Sequence, residues 1–180
     1  MQIELEGCKI DVPPIEFDVV YILLHAVHHL YSSGVGLRQI CDWVCLLHNY
    51  RGKINQENVT KLLKKTGMTN AARIFGAVAV NYMGLEKEDL VVGYDPEDEK
   101  YAEILINDIW NKGNFGQYDK ETNQRHANIW KKRWYLYKLA LKRAALLRKV
   151  APKEALWTPY GMTEFLLKNF YFKFTKGKHY

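Results

Sequence analysis

Three of the chain's six histidines, His25, His28 and His29, fall within five residues. His25 and His29 stand four apart, which places both on one face of a helix. Two histidines at that spacing can hold zinc, as in H-E-x-x-H. Here no glutamate lies between them and no obvious third ligand follows, so no metal site is expected. The other use of such a pair is to anchor the next turn, Ser32-Ser33-Gly34-Val35-Gly36, by hydrogen bonds. Beyond that turn come Arg38, Gln39 and Asp42. Arg38 and Asp42 are again four apart, the spacing of a helix-surface ion pair. If the pair is buried, it fixes the guanidinium as a rigid fork suited to phosphate or carboxylate. If it is exposed, it contributes only a few tenths of a kcal/mol. The spacing therefore leaves two readings open. One is a ligand-binding set of His25, His28, His29, Arg38, Gln39 and Asp42. The other is a helix–turn–helix hairpin locked by polar contacts, with no ligand.

Other chemistry is thinly represented. Cys8, Cys41 and Cys45 are the only cysteines, which excludes a disulfide framework. Cys41 and Cys45 are four apart on what reads as the apolar side of a helix, where core packing is expected. Ser32 and Ser33 are the only serines and sit in no G-x-S-x-G elbow, so a serine-hydrolase reading has no support.

Charge is unevenly spread. The net charge is +6, yet residues 1–122 balance to −6 and residues 123–180 to +12. The basic part carries Lys131, Lys132, Arg133, Lys138, Lys142 and Arg143, interleaved with Trp130, Trp134, Tyr135 and Tyr137. That mixture suits nucleic acid, a nucleotide phosphate or an anionic membrane surface. It equally suits a solvated cationic face opposite an aromatic core stripe.

The elements that would position these residues read as mainly α, with five to seven helices in an irregular bundle. With 180 residues, 48% of them hydrophobic and 26% charged, the chain can bury a core and is expected to form one helical domain over 1–180. Residues 1–14 are an extended lead-in, in which Ile3 to Val12 alternates as a short hairpin or unpaired edge strand. Residues 15–122 are a helical core. Its first helix spans about 15–31, with Phe17, Val20, Tyr21, Leu24, Val27 and His28 in helical register. A second covers about 37–50, with Leu37, Ile40, Cys41, Val44 and Leu47 on one side. Asn55 caps a third, closed by Gly67. Thr69 or Asn70 caps a fourth, apolar nearly all round, which Gly84 ends. Residues 86–95 read as an acidic loop, and Pro96 opens a fifth helix behind the cap Asp95. Gly113 to Asp119 is loop. Residues 123–180 hold the basic aromatic helices: one over about 123–150, stopped by Pro152, and an amphipathic segment from Thr163 to Phe174. No apolar run reaches about 18 residues, and the N-terminus lacks a signal-peptide pattern, so a cytoplasmic location is expected.

The run His25 to Trp43, HAVHHLYSSGVGLRQICDW, resembles the central motif of an uncharacterised nucleotidyltransferase-like family. That family is a branch of the polymerase β-type nucleotidyltransferase superfamily. Val12-Pro13, Phe17, Gly67-Met68, Tyr82-Met83-Gly84-Leu85, Gly113-Asn114-Phe115-Gly116 and the run Lys153 to Pro159 agree with it. A complete member is implied to bind magnesium and a nucleotide through a Gly-Ser turn and paired acidic residues on a strand, because two metals clamp an in-line phosphoryl displacement. This sequence holds no Gly-Ser dipeptide. Asp95-Pro96-Glu97 has the carboxylate spacing but reads as a helix cap, and nothing before Glu4-Leu5-Glu6 supplies the turn. The resemblance thus implies the helical C-terminal part of the family, with no catalytic residues and no cofactor in this chain. A nucleotide or other phosphorylated ligand and a separate catalytic-core protein are its implied partners. The other reading, from a different class, is a non-enzymatic interaction module. It would bind nucleic acid, an acidic protein or a membrane surface through the basic helices.

Overall fold

The computed structural model describes residues 2–32, 34–112 and 129–175. Among these, seven α-helices follow one short hairpin, so the chain is mainly α, as its pattern predicts. β1 (Gln2–Leu5) and β2 (Cys8–Asp11) pair antiparallel, with Ile3 opposite Ile10 and Glu4 opposite Lys9. The lead-in is therefore a self-paired hairpin and not an unpaired edge. Glu6 and Gly7 both take positive φ, 50° and 79°, the conformation a two-residue hairpin turn demands.

α1 (Ile15–Ser32) is the central helix. It buries Val19, Val20, Leu23, Ala26, Val27, Leu30 and Tyr31. Phe17, Tyr21, Leu24 and His28 lie on its exposed side, so the inward face is rotated from the expected one. The reason is that α1 carries two apolar stripes. The aliphatic one fits the crowded centre, and the aromatic one stays outside. α2 (Leu37–Asn49) turns back on α1, burying Ile40, Trp43 and Leu47, and the Trp43 indole donates to the Val19 carbonyl at 3.0 Å. Cys41 and Cys45 are exposed, contrary to the expected core packing, because Trp43 takes the inward position between them.

α3 (Gln56–Thr66) starts at Asn55, whose side chain accepts from the Asn58 N–H at 3.1 Å, and ends at Gly67 with φ of 78°. Glu16 accepts from the Asn55 N–H at 3.0 Å, tying the first turn of α1 to this cap. α4 (Thr69–Met83) is buried from Ala71 to Ala79 on nearly all sides. Its N-cap is Met68, so neither Thr69 nor Asn70 caps it. The acidic loop contains a single 3-10 turn, Lys87–Asp89, and Asp89 is buried. α5 (Pro96–Lys112) packs on α4, and its N-terminus is closed by Asp98 accepting from the Asp95 N–H at 2.8 Å.

α6 (Ile129–Leu147) and α7 (Pro152–Thr175) pack together and against α1. The expected loop at Gly113 to Asp119 and the expected helix start at 123 lie outside the described residues. α7 begins eleven residues before the expected Thr163, with Pro159 inside it. Pro152 does not merely stop the preceding helix. It occupies the first position of the next, where its missing N–H costs nothing. Two contacts fasten α1 to α6 reciprocally. The Tyr31 hydroxyl donates to the Leu147 carbonyl at 2.6 Å, at the end of α6, and the Arg143 guanidinium donates to the Leu30 carbonyl at 2.5 Å, near the end of α1. Each helix thus supplies a donor for a carbonyl that lacks a full set of partners inside the other. Burial pushes the Tyr31 phenol up to about 12. One cluster of buried apolar residues runs from Val19 through α2, α3, α4 and α5 to Ala155.

Candidate functional site

The end of α1 and the start of α2 meet across residues 33–36, with the Gly34 N–H donating to the His29 carbonyl at 2.7 Å. This short closure brings the histidine-bearing end of one helix to the arginine-bearing end of the other. The side chains divide into three groups.

The first group is an aromatic ladder along α1, at the four-residue spacing of Phe17, Tyr21, His25 and His29. Phe17 stacks on Tyr21 at 5.8 Å, Tyr21 on His25 at 6.1 Å, and His25 meets His29 edge-on at 4.5 Å. His25 Nε2 and His29 Nε2 are 3.1 Å apart, a hydrogen bond that requires one ring to donate and the other to accept. The two histidines thus bond each other, which is a structural role. The ring of His28 stands 6.1 Å from that of His29. The imidazole of His29 is held below its ordinary 6.5, first by desolvation and then by the charges His25 and His28 would carry. A lowered folded pKa means the unfolded chain binds the proton more readily, so this group's contribution to stability is present above pH 6.5 and is lost as pH falls below it. A histidine-resolved NMR titration should find His29 deprotonating below 6.5, and His25→Ala should raise its midpoint. An unchanged midpoint in that variant would remove His25 as a cause.

The second group is Arg38, Gln39 and Asp42. Gln39 reaches back to accept from the Gly36 N–H at 3.0 Å, capping the first turn of α2. Arg38 and Asp42 are exposed and form no ion pair, contrary to the expected pairing. Coulomb attraction between exposed groups at this spacing does not repay the ordering of two long side chains. Arg38 has no hydrogen bond or ion pair among the described residues and projects from the first turn of α2.

The third group is the basic stretch. Lys131 and Lys138 are exposed on α6, and Lys138 lies over the Trp134 ring at 5.7 Å. Lys142 is also exposed, Arg133 is half-buried, and the side chain of Lys132 lies outside the described set. Arg143 does not belong to an open patch. Its side chain is 13% exposed, and its guanidinium pairs with Asp108 at 2.7 Å besides holding Leu30.

Sequence reasoning missed two further charged clusters. Asp89 is fully buried beside Arg51, 2.6 Å from its Nε, with the His48 Nδ1 at 3.7 Å. The Arg51 contact is close enough for an ion pair but is not directed as a hydrogen bond, and both Asp89 oxygens lack a directed donor. The only signal was an acid directly before the apolar run Leu90-Val91-Val92. The other cluster joins Arg73 to Asp95 and Asp98, and the hydrogen bond that Arg73 donates to Asp98 raises the guanidinium's already high pKa. Asp95 is therefore committed to Arg73 and to the helix end. Glu4 lies on an exposed strand and Glu6 in the hairpin turn. Among the described residues no group of three or more His, Cys, Asp or Glu side chains could hold a metal ion.

The histidine ladder at the end of α1 and Arg38 at the start of α2 thus adjoin one short turn. Residues 1–84 match the model of an uncharacterised nucleotidyltransferase family. That stretch spans the hairpin and α1 to α4, a little under half of the chain. The similar motifs at Gly113–Gly116 and Lys153–Pro159 lie beyond the match. No curated protein and no solved structure matches the chain. No helix among the described residues is long and apolar enough to cross a membrane.

Proposed function

We propose that this chain is the helical substrate-binding or accessory portion of a nucleotidyltransferase-like protein, without transfer activity of its own. The observation that carries the reading is Arg38. It is exposed, has no partner among the described residues, and stands at the start of α2 inside the family-matched stretch. A guanidinium beside the free N–H groups of a helix start suits a phosphate. His25, His28 and His29, at the adjoining end of α1, would complete the ligand's surroundings, with Gln39 holding the turn. In this reading magnesium and the catalytic carboxylates come from a separate core protein, and the pair works in the cytoplasm.

Titration of the purified chain with ATP tests the reading. Binding should weaken roughly tenfold or more in Arg38→Ala, the loss of one charge-assisted contact to a phosphate. Circular dichroism should be unchanged, since Arg38 holds nothing in the fold. Equal ATP affinity in both proteins would sink the proposed site. Magnesium-dependent nucleotide transfer by the chain alone would sink the accessory role.

A further inference from the structure

We infer that the outer faces of α6 and α7 form a docking surface for an anionic lipid bilayer. The exposed residues of α6 are Lys131, Trp134, Lys138, Leu141, Lys142, Ala145 and Leu146, then Arg148 and Lys149 just beyond its end. They recur every three or four residues and so form one stripe along the helix. The exposed residues of α7 repeat the pattern with Leu156, Trp157, Tyr160, Glu164, Leu167 and Lys168. These are not marginal exposures: Leu156 is 76% exposed, Trp157 64% and Leu167 64%.

Large apolar groups are exposed elsewhere too, Phe17, Tyr21 and Leu24 on α1 and Trp110 on α5, but α1 holds no lysine or arginine beside them. The outside of α3 is Glu57, Asn58, Lys61, Lys64 and Lys65, and that of α5 is mostly Glu97, Glu99, Lys100, Glu103 and Asn107. α6 and α7 are apolar inward and also carry large apolar groups outward.

The chemistry of the stripes selects the occupant. They hold lysines and arginines with Glu164 as the one acid, and Glu164 is paired with Lys168 at 2.6 Å. The charge is complementary to a negative surface, which attracts basic residues within about a Debye length. Tryptophan and tyrosine with leucine and lysine are the residues of the membrane interface, where apolar groups enter the acyl boundary and ammonium groups reach the headgroups. Exposed leucines gain nothing from phosphates or from stacking on bases, so a nucleic acid leaves Leu141, Leu146, Leu156 and Leu167 unused. The helices lie on the surface and do not span it, consistent with the absence of a spanning helix among the described residues.

The test is cosedimentation of the full chain with vesicles of phosphatidylcholine alone and of phosphatidylcholine with about 30% phosphatidylglycerol, a fraction that gives a strongly negative surface. Binding is expected to the mixed vesicles only, with a blue shift of tryptophan emission. The exposed double variant Leu156→Ser, Trp157→Ser should keep the helical circular dichroism and lower the partition roughly tenfold or more. Lys131→Gln with Lys138→Gln should lower it by a smaller factor that vanishes at high salt. No binding to mixed vesicles overturns the inference. So does binding that ignores the leucine–tryptophan variant, or one that a single-stranded oligonucleotide displaces completely.

Discussion

Replacing Arg143 by methionine is expected to lower the unfolding free energy by about 3 kcal/mol. The methionine keeps most of the apolar stem but removes the donors. Asp108, whose side chain is 7% exposed, loses a charge partner at 2.7 Å, and the Leu30 carbonyl loses a donor at 2.5 Å. A buried pair broken on one side costs far more than an exposed one, because the desolvated carboxylate then keeps less compensation for its charge. Arg148, exposed just past the end of α6, is the internal comparison. Its methionine variant should shift stability by no more than about 0.5 kcal/mol. Urea titrations of the two variants give the answer, and equal midpoints would return Arg143 to the solvated basic face that its sequence context suggests.

Trp43→Ala is expected to cost more, about 3–5 kcal/mol. Trp43 is 1% exposed and is among the largest fully buried side chains, and its indole N–H holds the Val19 carbonyl. Alanine would leave a cavity between α1 and α2 and take away that donor. The residue closes the motif that carries the family resemblance, so part of the motif serves packing and not ligand contact. Trp43→Phe, which fills most of the volume, should recover more than half of the loss in thermal or urea unfolding. A mild alanine variant would mean that the α1–α2 hairpin is held elsewhere.

Helix ends were legible because their causes are local. Asn55, Gly67, Gly84 and Pro96 each act on the backbone beside them, and helices start or stop there. Faces were harder. Phe17, Tyr21 and Leu24 repeat as regularly as Val19, Leu23 and Ala26, and only the packing of α2, α3, α6 and α7 around α1 decides which stripe turns inward. The same ambiguity misplaced Cys41 and Cys45. The expected start at Thr163 is late, because packing against α6 carries α7 from Pro152 through Pro159 and Gly161. For the site, the gathering of the histidines at a helix end could be read from spacing. The Arg38–Asp42 pair could not, since its sign depends on exposure. Arg143 looked like one more cation because its partners, Leu30 and Asp108, are remote in the chain.

The reciprocal capping of α1 and α6 has a consequence for how the protein comes apart. Its hydrogen bonds join positions 113 and 116 residues apart, so the closure they require is among the longest in the chain. The family-matched stretch ends at Gly84, well short of α6. Its central helix therefore takes the side-chain donor to Leu30 and the acceptor for Tyr31 from residues outside the match. A fluctuation that lifts α6 and α7 away strips donors from Leu30 and Leu147 together and uncovers Tyr31 and the apolar faces beneath. Local opening of the basic helices is thus expected to loosen the histidine-bearing end of α1, although only one of the two regions lies within the family match.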